Sequence, residues 1–471
     1  MPSSALMTDL YELTMLAGYY EHGMCEHPAS FDLFFRKNPF HGGYAVFAGL
    51  EPVLRYLEEL HFTETDLAYL ESLNLFKTGF LDYLKKFHFR CTVTAPPEGT
   101  VVFANEPLVT VEGSLAEAQL VETAMLNILN FQTLIATKAA RIQQAAGEGV
   151  VVEFGLRRAH GPNGGLSVSR AAYIGGVRST SNTWAGQVFG IPVKGTHAHS
   201  WVMAFSTELD AFRAYAEVFP DSAILLVDTY DTLLSGIPNA IRVAKELRAK
   251  GHELRGIRLD SGDLAYLSRQ ARNIFDKEGF PAVRIVASNE LDEHVISSIR
   301  DDGGKVDIYG VGTELATAGG PGGGALGGVY KLVSFDGQPR MKTTSDITKA
   351  TLPGIKSLFR LLDSDGRFLQ DVICCKGEQV EAGVTVFDPV NPSRHITVPE
   401  CQVTDLRSKV MEQGRVIADL PGLDDSADRC AHQLKCLPEG TLRLKNPHLY
   451  KVSISPGLHH LRRQLMDRYS R

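Results

Sequence analysis

The 471-residue chain is poor in cysteine, with seven, and holds only two tryptophans. So few cysteines cannot staple a chain of this length, which excludes a disulfide scaffold. Cys374 and Cys375 are adjacent, and Cys430 and Cys436 stand six apart; neither pair has zinc-knuckle spacing. Long apolar runs are missing too, so no membrane span is expected. No basic segment followed by an apolar stretch opens the chain, and the expected compartment is cytoplasmic. Excess positive charge is also absent. The formal net charge of -7 offers no basic footprint for a nucleic-acid backbone, although a local anion site does not depend on that sum.

What is present is an ordinary globular composition, 44% hydrophobic and 22% charged, in a chain long enough for two or three domains. Its main pattern is a series of short apolar runs closed by polar groups. The first leads from Val150 into Glu153, Phe154 and Gly155. Four more lead into Asp228, into Asp260 and Ser261, into Ser288 and Asn289, and into Gly310, Gly312 and Thr313. Helix-length segments separate these four. Apolar strands alternating with helices predict a parallel sheet, whose ligands sit at the C-terminal strand ends. The expected fold class is α/β, an irregular or incomplete (β/α) barrel over residues 148–360, with an open doubly wound sheet as the alternative. Segments 171–176 and 191–195 are read as further strands of this domain.

Around it, residues 1–147 read as a mixed α+β domain with a crossover helix. Helices are expected over 6–24 and 44–60, a strand over 31–35, and a small antiparallel unit over 89–112, where Pro96, Pro97, Gly99 and Pro107 break short Val/Thr runs. Residues 361–471 read as partly β. They form either a separate small domain or, preferably, strands that pair with the N-terminal β unit.

Several strand ends carry candidate chemistry. Arg258 and Asp260 stand two apart, on one side of an extended strand. An acid there can hold ribose hydroxyls, a metal or a base, and an arginine can bind phosphate. A buried ion pair is the bland alternative. Gly310, Gly312 and Thr313 could free backbone N–H groups for a phosphate or simply form a tight turn; neither a Walker nor a dinucleotide fingerprint is present. Gly161–Gly165 follow Arg157 and Arg158 and suggest an anion loop. His197 and His199 share one side if the segment is extended and diverge if a helix starts there. They could ligate metal, act as base or nucleophile, or pack in the core.

Taken in order, these motifs resemble those of nicotinate phosphoribosyltransferases over nearly the whole chain. The matching segments are Thr8 to Met15, Phe31 to Pro39, Tyr44 to Leu50, Glu153 to Arg158, Gly195 to Ser200, Arg258 to Asp263 and Tyr309 to Thr313. The resemblance implies transfer of phosphoribose from phosphoribosyl pyrophosphate to nicotinate, with ATP and Mg²⁺ consumed or required. It implies a homodimer with shared active sites. It makes His199 the phosphohistidine, with His197 in support and Glu153 or Asp228 as its orienting acid. Phe154 and Tyr11 would stack on the pyridine, and Arg157 would lie near nucleotide phosphate or base. Arg258 and Asp260 would serve the ribose phosphate. Thr196, Ser288, Gly310, Gly312 and Thr313 would also contact substrate. Asn182 stands where the similar nicotinamide-using enzymes carry an acid, which favours nicotinate. A quinolinate-using relative and a silent scaffold of the same fold fit the motifs less well.

Overall fold

The computed structural model describes residues 4–343 and 351–469. The chain divides into two compact units, one built from Met1–Thr137 and Pro321–Arg471, the other from Lys138–Gly320. The second unit therefore ends near 320. The physical reason is strand Gly328–Phe335, which pairs antiparallel with Pro28–Phe35 and so belongs to the first unit. Residues 344–350, within the expected barrel domain, lie outside the described residues.

In the first unit a seven-stranded sheet is centred on Pro28–Phe35 and Val109–Ser114. Phe31 faces Val111 on one side and Leu332 on the other, and Phe31, Val111, Tyr330 and Val333 are buried in this sheet. Both readings of the C-terminal region hold in part. Ser408–Glu412 adds to Thr92–Ala95 in this sheet. Six other segments from 356 onward form their own sheet around Lys356–Leu362 and Phe368–Cys375. The expected helix over 44–60 is instead a two-residue strand, Ala45–Val46, followed by helix Leu50–Glu59.

The second unit holds five parallel strands in the order Val150–Glu153, Ile308–Val311, Arg284–Ser288, Gly256–Leu259, Ile224–Leu226. Leu225, Ile257, Leu259, Ile285, Ala287 and Val311 are fully buried, which accounts for their near-continuous apolar runs. Single parallel bridges extend the sheet from Glu153 to Thr180 and from Thr180 to Val193. The chain then returns to the opposite edge: the Leu226 N–H donates to His197 Nε2 at 3.2 Å. The result is an incomplete barrel, its gap spanned by a histidine rather than by a strand ladder. Segment 191–195 contributes only that single bridge at Val193. Segment 171–176 is not a strand. Its apolar residues belong to helix Gly161–Ile174, buried from Val168 onward, and a buried helix and a short buried strand share one composition.

Capping explains where the outer helices begin. Asp263 Oδ1 accepts from the Tyr266 N–H at 2.9 Å, and Asp292 Oδ1 accepts from those of His294 and Val295. The helix after Asp292 places Glu293 between Lys138, at 2.5 Å, and Arg141, at 2.9 Å, with all three side chains at most 3% exposed. Burial alone would raise the Glu293 carboxyl, but the two cations outweigh it and hold it low. Glu293→Ala removes the carboxylate shared by two buried cations and is expected to cost about 3–5 kcal/mol in urea unfolding. The pair's contribution is present above the ordinary glutamate range and is lost as pH falls through the depressed value. The mutant's deficit should therefore shrink in acid; a midpoint unchanged at neutral pH would contradict this assignment.

Candidate functional site at the strand ends

Parallel pairing brings the C-terminal ends of all five strands to one edge of the second unit, and the chemistry-bearing residues converge there. Arg258 is the hub. Its Nε donates to Ser288 Oγ at 2.7 Å, its Nη1 to Thr196 Oγ1 at 3.0 Å and its Nη2 to Asp260 Oδ1 at 2.8 Å. The Ser288 hydroxyl donates to the same Asp260 oxygen. Three faces of one guanidinium are thus fixed by three different segments, an orientation that a flexible ammonium could not reproduce. Burial pushes the Asp260 carboxyl up, but the Ser288 hydroxyl and the Arg258 charge together bring it below its ordinary range. Asp228 acts one layer beneath. Its Oδ2 accepts from the Asp260 backbone N–H and from the Ser261 hydroxyl, each at 2.7 Å, and so fixes the loop that carries Asp260.

The two histidines diverge because helix His199–Met203 starts between them. His197 is buried, 8% exposed, with Nε2 committed to the Leu226 N–H and Nδ1 facing the Ala198 carbonyl at 3.3 Å. Burial lowers its pKa, so it stays neutral and acts as a structural tie. His199 faces the strand ends with its side chain 40% exposed. Its Nε2 lies 3.6 Å from Asp260 Oδ2 and its Nδ1 lies 3.1 Å from Thr229 Oγ1. The acid beside His199 is therefore Asp260. Glu153 is turned away: it accepts from the Gly155 N–H and from the Ser169 and Thr180 hydroxyls. Thr229 was not anticipated. Its only sequence signal is its place one residue after a strand-end acid.

Phe154 leaves strand Val150–Glu153 with its N–H bonded to the Val311 carbonyl at 2.8 Å. Its ring centroid lies 5.6 Å from the Arg258 guanidinium carbon, within cation–π range. Gly310 makes room for that ring, since a Cβ there would come within 2.6 Å of it. The glycine is thus required by aromatic packing. Arg157 and Arg158 sit exposed in the 3₁₀ turn Leu156–Arg158 just beyond. Asn182 does not line an open pocket. It is fully buried, its Oδ1 capping helix Thr183–Phe189 through the Trp184 and Ala185 N–H groups and its amide facing Ser169. Its neutrality therefore says nothing about which pyridine is used.

Tyr11 belongs to the first unit, in helix Leu10–Glu21, with 47% of its surface exposed. The first unit also holds a cavity of about 810 Å³ that sequence reading missed. Arg36, Lys37, Arg394, Lys451, His41 and His448 line it, whereas its acid, Asp388, is occupied in capping the Val390 and Asn391 N–H groups. Such a lining suits a polyanion. The adjacent Arg36 and Lys37 were a visible signal, but Arg394 and Lys451 lie far away in sequence.

A resident metal finds little here. Among the described residues no group of three or more His, Cys, Asp or Glu could hold an ion. Mg²⁺ bound through substrate phosphates needs only one or two carboxylates, and Asp228 Oδ1, buried without a hydrogen-bond partner, is the donor at this edge that fits. Among the described residues no helix is long and apolar enough to cross a membrane.

Comparison with known proteins places these features in a family. Three family models match in chain order: the nicotinate phosphoribosyltransferase N-terminal domain over residues 6–130, the nicotinate phosphoribosyltransferase family over 150–352, and its C-terminal domain over 355–462. The nicotinate phosphoribosyltransferase of Bacillus subtilis (strain 168) is 44% identical over 96% of this chain and 93% of its own. The enzyme of that name from Homo sapiens is 37% identical over 96% and 95%. The crystal structure of human nicotinic acid phosphoribosyltransferase superposes with a TM-score of 0.87 at 34% identity, covering 97% of this chain and 99% of that one. A nicotinate-nucleotide pyrophosphorylase structure from Pyrococcus furiosus shares the fold, with a TM-score of 0.71 at 24% identity over 92% and 95%.

Proposed function

Because the chain belongs to the nicotinate phosphoribosyltransferase family, an enzyme family, we propose that its strand-end site joins nicotinate to phosphoribosyl pyrophosphate, releasing pyrophosphate, and that ATP drives the reaction through a phosphohistidine at His199. The observation that carries the reading is the Arg258 hub beside Phe154, a rigid cation next to an aromatic face.

The chemistry asks little of an acid or base. The nicotinate ring nitrogen attacks C1 of the ribose as the bond to pyrophosphate breaks, and the sugar passes through oxocarbenium character. Phe154 stacks on the pyridine and points its nitrogen at C1, which supplies rate through orientation. Asp260 faces the ribose, and its charge favours the developing cation. Arg258, with the exposed Arg157 and Arg158, supplies positive charge for phosphate oxygens and for the nicotinate carboxylate. That charge, rather than Asn182, supports nicotinate as the ring substrate. Asp228 Oδ1 and Asp260 would hold Mg²⁺, which when bound neutralises pyrophosphate charge.

The Asp260 carboxylate beside Nε2 of His199 favours the proton on that nitrogen, leaving the Nδ1 lone pair, near Thr229, as nucleophile. ATP loses its γ-phosphoryl group to Nδ1, ADP leaves, and hydrolysis of the phosphoimidazole later restores the ring. The test is pyrophosphate release on mixing the protein with nicotinate and phosphoribosyl pyrophosphate. Release should require both and rise when ATP is added; release indifferent to nicotinate would end this reading.

A further inference from the structure

Arg462 is a buried cation that the reaction above does not use. It sits on helix Pro456–Tyr469 with 6% of its surface exposed. Its Nη1 donates to the Pro389 carbonyl, while its Nε is buried without a hydrogen-bond partner. An arginine keeps its charge in such a place, because its guanidinium does not deprotonate in proteins. Burial pushes its pKa down, and no neighbouring acid offsets that penalty. A buried charge held in this way calls for a counter-charge.

Arg462 lines a cavity of about 50 Å³ whose other charged residues are Asp32 and Lys356. Those two cancel. Lys356 Nζ lies 2.8 Å from Asp32 Oδ2, and Asp32 Oδ1 accepts from the Thr110 hydroxyl at 2.7 Å. The remaining donors of Lys356 go to the Leu352 and Gly354 carbonyls. Arg462 is therefore the uncancelled charge of the lining. Asn105, Pro389 and Val390 also line the basic cavity of about 810 Å³ described above, so the two cavities share a wall. The acid of the larger one, Asp388, caps the Val390 and Asn391 N–H groups, and its cations Arg394 and Lys451 are exposed. Every residue of both linings belongs to the first unit.

We propose that these adjoining cavities form a binding site for a polyphosphate chain, with Arg394 and Lys451 at its exposed side and Arg462 as the buried cation at its inner side. The larger volume is that of a small-molecule site, and the smaller one admits a single small group. Several cations around one confined space favour a compact ligand of high charge over a single carboxylate. The buried guanidinium sets the site apart from a merely basic surface, since it offers a fixed N–H donor in a place where water does not compete. The bland alternative is that Arg462 only ties its helix to the Pro389 carbonyl. Inorganic polyphosphate and a nucleoside triphosphate carry the same chain and are the two sources of the ligand.

The experiment titrates the full chain with inorganic tripolyphosphate by calorimetry and follows the melting temperature alongside. The proteins are the wild type, Arg462→Gln and the double variant Arg394→Glu, Lys451→Glu. The wild type should bind the anion and melt higher in its presence, more strongly at low salt. Each variant should weaken that binding at least about tenfold. The double variant alters exposed side chains only, so it keeps the test decisive if Arg462→Gln does not fold. ATP is titrated in parallel. Loss of ATP affinity in the same variants makes a nucleotide a carrier of the chain, and ATP binding that ignores them leaves inorganic polyphosphate as the source. Tripolyphosphate can also bind at the strand ends, but such binding would be equal in all three proteins, and equal binding overturns the inference. So does a folded Arg462→Gln that binds as the wild type does, whether or not it melts lower, because that is the structural tie alone. A wild type that takes up no tripolyphosphate overturns it too, without touching the functional reading above, since no nicotinate is present.

Discussion

His199→Ala is expected to take up no acid-labile phosphate from γ-labelled ATP, a loss of at least about a hundredfold against the wild type, and to keep its fold. The argument is one of access and of how each ring is held. His199 is 40% exposed at the strand-end edge, and its two nitrogens meet a carboxylate and a hydroxyl, so a tautomer with one nucleophilic nitrogen is held ready. His197 has neither property. It is buried, and its Nε2 lone pair already holds the Leu226 N–H. Phosphorylating it would break the tie across the barrel gap. Phosphoribosyl transfer itself should survive in His199→Ala at a reduced rate that ATP no longer stimulates. Undiminished labelling in the variant would move the phosphate elsewhere and dissolve the link between ATP and this site.

Arg258→Lys is expected to lower kcat/KM for phosphoribosyl pyrophosphate about a hundredfold with little change in thermal stability. The charge is kept and the fork is lost. A lysine has one nitrogen to place where arginine places three, at Ser288, Thr196 and Asp260. The Asp260 carboxylate would then lose its fixed partner and its set position at the strand ends. The Ser288 hydroxyl, already donating to Asp260, would hold it only in part. A variant with wild-type kcat/KM would mean that the hub is a structural knot, the bland alternative that the sequence leaves open for this ion pair.

The parallel sheet was legible because both its faces are buried, so that strands such as Gly256–Leu259 and Arg284–Ser288 read as apolar runs with a polar stop. The stops do converge: Arg258 ties Ser288 to Asp260, with the Phe154 ring beside it. Helix Gly161–Ile174 was misread in part as a strand since small apolar residues buried on all sides leave no periodicity to count. The divergence of His197 and His199 depended on where a five-residue helix starts, which no cap residue announces. Thr229 was silent because a lone hydroxyl acquires meaning only from its neighbour across the edge. Asn182 shows the opposite error. A residue assigned to substrate choice is spent on capping a helix in the interior. The unit boundary at Gly320 was hidden because strand Gly328–Phe335 joins a sheet whose central strand, Pro28–Phe35, lies some three hundred residues earlier.

The central claim is that this edge transfers phosphoribose to nicotinate. The most direct measurement offers phosphoribosyl pyrophosphate with nicotinate and with nicotinamide in separate reactions and identifies the products by mass. Nicotinate mononucleotide and pyrophosphate in equal amounts, with nicotinamide converted far more slowly, is the predicted result. Preferential formation of nicotinamide mononucleotide, or no pyrophosphate with either ring, would contradict it.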